Sequence, residues 1–90
     1  MKLHEIKIDY KFALQKANGI KDFEIRKNDK NYQIGDLIKY EVVNLPEGCL
    51  NKVLSIEDNI YQIVNICDYE QKDEFIVWQE KIIYSKENNY

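Results

Sequence analysis

No stretch of this 90-residue sequence approaches the roughly 20 consecutive apolar residues that a membrane-spanning helix needs. The first ten residues, MKLHEIKIDY, carry no apolar core of signal-peptide length. The expectation is a cytoplasmic protein. Cysteine occurs twice, at Cys49 and Cys67, without a CxxC spacing and beside a single histidine. That pattern reads as two reduced thiols, with no metal and no cofactor expected. Proline occurs once, at Pro46, and glycine three times, so no Pro/Gly-rich linker divides the chain. A Gly-rich phosphate loop, an internal repeat and a nucleophilic triad are all missing from the sequence.

What remains is enough for one small domain. Hydrophobic residues make up 44% of the chain. We expect a single domain over residues 1–85 and a flexible tail over 86–90, KENNY. Aromatics are 12%, with seven tyrosines, which favours a pleated, half-buried β-surface. The net charge of −3 is unevenly spread: residues 1–30 hold eight of the thirteen Lys and Arg but five of the sixteen Asp and Glu. Such asymmetry fits a face for an anionic ligand in the first third, because a local patch matters more than net charge, and it fits an uneven scatter of charge on a soluble surface equally well.

LHEIKI (3–8) alternates as a strand. Tyr10, Ala13, Leu14 and Ala17 then fall at helical spacing, with Asp9 as N-cap and Asn18-Gly19 as the stop. DFEIRK (22–27) and LIKYEVV (37–43) alternate again; Ile38, Tyr40 and Val42 share a face. VLSI (53–56) and IYQIVNI (60–66) read as a hairpin around 58–59. EFIVWQEKIIY (74–84) reads as a last long strand with Ile76, Trp78, Ile82 and Tyr84 on one side. Several short strands with one early helix predict an α+β, mostly β domain, a small barrel or strongly twisted sheet.

FEIRKND (23–29) is the densest charged stretch that also alternates. Phe23 and Ile25 point one way, Glu24 and Arg26 the other. Arginine gives a planar fork for oxyanions, glutamate accepts from exocyclic amines, and Asn28 does both. On composition and spacing alone, an ion pair on a wet strand face, worth little, is the favoured account of these charges. His4 shares parity with Ile6 and Ile8 and reads as a satisfied core residue. The helix lysines, Lys11 and Lys16, read as peripheral.

The run from LHEIKI through GIKDFEIRKNDKNYQIGDLIKYEV resembles the small ASCH domains of the PUA-like superfamily. More narrowly, it is similar to short bacterial and phage proteins of unknown function. These carry a His-Glu-Leu-Lys-like strand, a Gly-x-Lys-Thr-Phe-Glu-Ile-Arg-Lys-Asn-Asp-Arg segment and a Val-Gly-Asp turn. His4, Glu5 and Lys7 match the opening. Gly19, Lys21 and the run Phe23 to Asp29 match the centre, and Gly35 and Asp36 the turn. The resemblance covers the first half of the chain. It implies a PUA-like pseudo-barrel whose charged motif lines a cleft, and a role with RNA or a nucleotide. Some ASCH relatives are acetylcytidine amidohydrolases that use a Lys, a Thr and a Glu; others cleave single-stranded RNA. Lys21 falls at the amidohydrolase lysine and Glu24 at its threonine, but the chain contains no threonine, and Asp22 replaces the Thr of the narrower group.

The expected function is an RNA- or nucleotide-binding module with a cleft built from residues 4–7 and 21–29. Its ligand-binding residues would be His4, Lys7, Lys21, Glu24, Arg26, Lys27, Asn28 and Asp29. One alternative is an enzyme acting on a nucleoside or RNA, with Lys21 as base and Glu24 as its acid–base partner. Another is a phage-type interaction protein that presents Asp68, Glu70, Asp73 and Glu74 to a basic groove of a host nucleic-acid enzyme.

Overall fold

The computed structural model describes residues 1–20, 23–49, 51–67 and 74–86. The first alternating run forms β1 (Leu3–Asp9), with His4, Ile6 and Ile8 turned inward. The change of period at Tyr10 starts α1 (Tyr10–Ala17), and the Asp9 carboxylate accepts from the Lys11 amide at 3.1 Å. Ala13 is buried, and Tyr10, Leu14 and Ala17 pack on the core. The helix stops at Asn18, followed by Gly19 at φ 72°.

A Cβ at Gly19 would meet nothing within 4 Å. Gly19→Ala therefore isolates backbone strain, and is expected to destabilise the fold by about 1 kcal/mol in denaturant titrations. Unchanged stability would contradict the left-handed stop.

The remaining strands are β2 (Phe23–Lys27), β3 (Leu37–Val43), β4 (Ile60–Cys67) and β5 (Phe75–Tyr84). They form one five-stranded sheet in the order β1-β3-β4-β5-β2. β1 and β3 run parallel, from Leu3 opposite Leu37 to Asp9 opposite Val43; the other pairs are antiparallel. The sheet curls into a half-barrel, so the fold is α+β and mostly β as expected. Its inward face carries Ile6, Ile8, Ile38, Tyr40, Ile63, Ile76 and Trp78, with α1 packed over them.

Two expectations fail. Residues 53–56 are not a strand: α2 (Asn51–Leu54) runs into a 3-10 turn at Ser55–Asp58. Val53 and Ile56 are both buried, a spacing of three that suits a helical turn and not a pleat. The turn lies beside upper β3, where Glu57 Oε2 accepts from the Val42 amide at 2.9 Å. In β5, Ile76 and Trp78 are buried, but Ile82 and Tyr84 are 52% and 43% exposed. Ile82 keeps the parity of Ile76 and Trp78 without being covered, and the register shift between Ile60 and Tyr61 leaves Ile83 as an extra β5 residue between Ile82 and Tyr84.

Candidate functional site

β2 inverts the usual rule for a strand of this composition. Phe23 and Ile25 face outward, while Glu24 is only 2% exposed. A buried carboxylate requires partners, since desolvating a lone charge is prohibitive. Lys16 from α1 supplies one. Its Nζ lies 3.1 Å from Glu24 Oε1 and 2.6 Å from Glu80 Oε2, and its side chain is 4% exposed. Arg26 supplies another, with Nε 3.2 Å from Glu24 Oε2. Glu80 is completed by the Tyr40 hydroxyl at 2.5 Å and the Trp78 indole N–H at 2.9 Å, both on Oε1.

Among the described residues the cluster thus sets two cations, Lys16 and Arg26, against two carboxylates. Tyr40 and Tyr61 lie beneath the Lys16 ammonium, with ring centres at 5.0 and 5.3 Å. Burial first, and the charges of Glu24 and Glu80 next, push the Tyr40 hydroxyl well above its ordinary pKa, so it stays a donor to Glu80. Burial likewise raises Tyr61 to about 12.

β1 and β2 are the two edges of the sheet, and the half-barrel brings them together across a seam. Side chains bridge it: Arg26 Nη1 donates to the Lys7 carbonyl at 2.7 Å, and Lys30 Nζ to the Glu5 carbonyl at 3.3 Å. Beside Arg26 lies an open cavity of about 570 Å³. It is lined by Lys7, Ile8 and Asp9 of β1, by Phe12 and Gln15 of α1, and by Ile20 and Phe23 to Arg26.

The family model described as "Domain of unknown function (DUF3850)" matches residues 3–79, most of the chain. The chain belongs to this family. No curated protein matches it. The matched span of the DUF3850 chain holds Lys16, Glu24, Arg26, Tyr40 and Trp78, and ends one residue before Glu80. Among the described residues, no helix is long and apolar enough to cross a membrane, and no group of three His, Cys, Asp or Glu is placed to hold a metal ion. Cys49 and Cys67 are free thiols.

Of the residues singled out by sequence, Glu24 and Arg26 meet in the cluster, and Lys7 joins them on the cavity wall. Lys27, Asn28 and Asp29 are exposed at the end of β2, where the Asn28 amide donates to the Glu74 carbonyl at 2.7 Å. Lys21 and Asp22 lie outside the described residues, as do Asp68, Glu70 and Asp73 of the acidic stretch; Glu74 is exposed.

His4 is buried away from the cavity. Its Nε2 sits 2.8 Å from Asp36 Oδ2, and its ring packs on Tyr32 with centres 4.6 Å apart. Burial pushes the Asp36 carboxyl up. Hydrogen bonds from His4 and from the Lys2 and Gln33 amides outweigh it and leave the carboxyl below its usual pKa. A depressed carboxyl stabilises the fold above its unfolded pKa, and that stability is lost as pH falls through the folded value. The stability gap between the protein and Asp36→Asn is therefore expected to be full near neutral pH and to shrink below about pH 4. A gap independent of pH in denaturant titrations would contradict this.

Lys16 overturns the expectation that the helix lysines are peripheral. At roughly 3.6 residues per turn it lies about 60° around α1 from Ala13, on the edge of the buried stripe. Its small neighbours Ala13 and Ala17 were the available signal: they let α1 approach closely and leave room for a long side chain to run inward. Glu80 had a signal as well, since it shares parity with Ile76 and Trp78.

Proposed function

We propose that this chain is an RNA- or nucleotide-binding module of the ASCH, PUA-like type, with the seam between β1 and β2 as its cleft. The observation that carries the reading is the pose of Arg26. Glu24 and the Lys7 carbonyl fix two of its nitrogens, and among the described residues nothing takes Nη2. A guanidinium clamped in this way, 23% exposed on the wall of a cavity, presents a preorganised fork to an acceptor. Lys7 lines the same cavity and suits a phosphate.

Binding of a fluorescent single-stranded oligoribonucleotide tests this. Affinity is expected to fall as salt rises, with a slope of about −0.7 per phosphate contacted. Arg26→Ala is expected to weaken binding roughly ten- to hundredfold. Arg26→Lys should not restore it fully, because an ammonium lacks the planar fork. Lys81→Ala, on exposed β5, is the control; Lys16 cannot serve, being part of the core. Melting curves accompany the titrations, because Arg26 also pairs with Glu24. An Arg26→Ala protein that keeps full affinity would refute the cleft.

A further inference from the structure

Two of the chain's three phenylalanines line the seam cavity, Phe12 from α1 and Phe23 from the start of β2, each 40% exposed. Ile8, Ile20 and Ile25 extend the apolar wall. Arg26 is the cation on this wall whose fork is already clamped, and Lys7 lines the wall as well. The Lys11 ammonium lies 5.0 Å above the Phe12 ring. Asp9, an acid on the same wall, is already engaged: Asn44 Nδ2 donates to it at 2.7 Å and the Lys11 amide at 3.1 Å.

The combination restricts the occupant. A free phosphate would use the cations and leave the aromatic walls wet. A purely apolar ligand would use the walls and cover Arg26 without giving its N–H groups an acceptor, which is costly. A planar heteroaromatic ring with acceptors on one edge and a phosphate attached uses all three features. At about 570 Å³ the cavity falls within the roughly 300–1,000 Å³ typical of small-ligand sites. A base paired in a duplex cannot turn its face to the phenylalanines, whereas a base in a single strand can.

We propose that the cavity takes one unpaired guanine, stacked against Phe12 and Phe23, with its O6/N7 edge toward the outer nitrogens of Arg26. This assignment rests on the RNA-binding reading of the seam and names what the seam selects. Guanine offers two adjacent acceptors to the fork, whereas adenine places an amino donor beside N7. Cytosine has a comparable O2/N3 pair but a smaller stacking face, and uracil separates its two carbonyls.

The experiment uses labelled uridine pentamers whose central base is G, A, C or U, titrated into the full chain. Guanosine monophosphate, adenosine monophosphate and inorganic phosphate serve as competitors. The G pentamer is expected to bind about tenfold or more tighter than the U pentamer. Phe12→Ala and Phe23→Ala should each weaken it roughly five- to hundredfold and erase the preference. Phe12→Leu and Phe23→Leu, which keep the apolar wall, control for folding and should lose stacking while keeping the melting temperature. Guanosine monophosphate competing as well as the pentamer, with the same phenylalanine dependence, would support the slot and make the free nucleotide its source. Equal affinity for all four pentamers, undiminished in the phenylalanine variants and still salt-sensitive, would overturn the slot and leave the RNA reading standing. Binding of none of the pentamers would overturn both. Competition by inorganic phosphate as effective as guanosine monophosphate would overturn the slot in favour of a plain anion site.

Discussion

Lys16→Met is expected to destabilise the protein by about 3–5 kcal/mol, the usual cost of removing one partner from a buried ion pair. In a domain of this size each kcal/mol lowers the melting temperature by roughly 4–8 °C. Methionine fills much of the same volume, so the loss is electrostatic. Among the described residues, Arg26 would be the cation left beside Glu24 and Glu80, and it reaches Glu24. A further observation separates this cause from a packing defect. The penalty should shrink in the Lys16→Met, Glu80→Gln double variant, which deletes a charge of each sign. A singly substituted protein as stable as the parent would show that Lys16 contributes nothing to holding the cluster.

Trp78→Ala is expected to cost a comparable 3–5 kcal/mol or more, by a different route. Trp78 is completely buried and the largest of the fully buried side chains. Its ring packs on Tyr32 with centres 4.6 Å apart, and Tyr32 packs in turn on His4. Alanine would leave a void and take a donor from Glu80. Trp78→Phe separates the two losses, since it keeps most of the apolar volume and removes only the indole N–H. It is expected to fall between the parent and the alanine variant in chemical denaturation. A phenylalanine variant as damaged as the alanine one would assign the whole effect to the hydrogen bond. One indistinguishable from the parent would assign it to packing alone.

The strands were legible where one face is uniformly apolar, as in Ile6 and Ile8 or Ile38, Tyr40 and Val42. The helix was legible because Asp9 and Asn18-Gly19 are local chemistry that needs no tertiary context. The misreadings share a cause. Four apolar-rich residues at 53–56 fit a pleat and a turn equally well; burial of Val53 and Ile56 decided the matter, and burial is a tertiary fact. Ile82 and Tyr84 continue the parity of Ile76 and Trp78, yet the sheet offers them no cover. At the site, the alternation of Glu24 with Ile25 was plain, but which face is wet was not. Hydrophobicity points Phe23 and Ile25 inward, and the partners that reverse this choice sit eight residues upstream, at Lys16, and fifty-six downstream, at Glu80. Local pattern carries no information about a charge balanced over such separations.

The sheet order also bears on how this chain can be made. β2 pairs with β5, so the strand carrying Glu24 and Arg26 has its backbone partner in residues 75–84, which are synthesised well after it. The Glu80 and Trp78 side chains that complete the charge cluster arrive with the same strand. While the chain emerges from the ribosome, β1, α1 and β3 can assemble early, but β2 has an unsatisfied edge and a glutamate that cannot yet be buried. Long-range pairing of this kind makes folding slow relative to helical domains of equal length. It also ties the seam to synthesis through β5: a nascent chain that has not yet reached residues 75–84 would carry the whole FEIRKND motif without the strand that β2 pairs with.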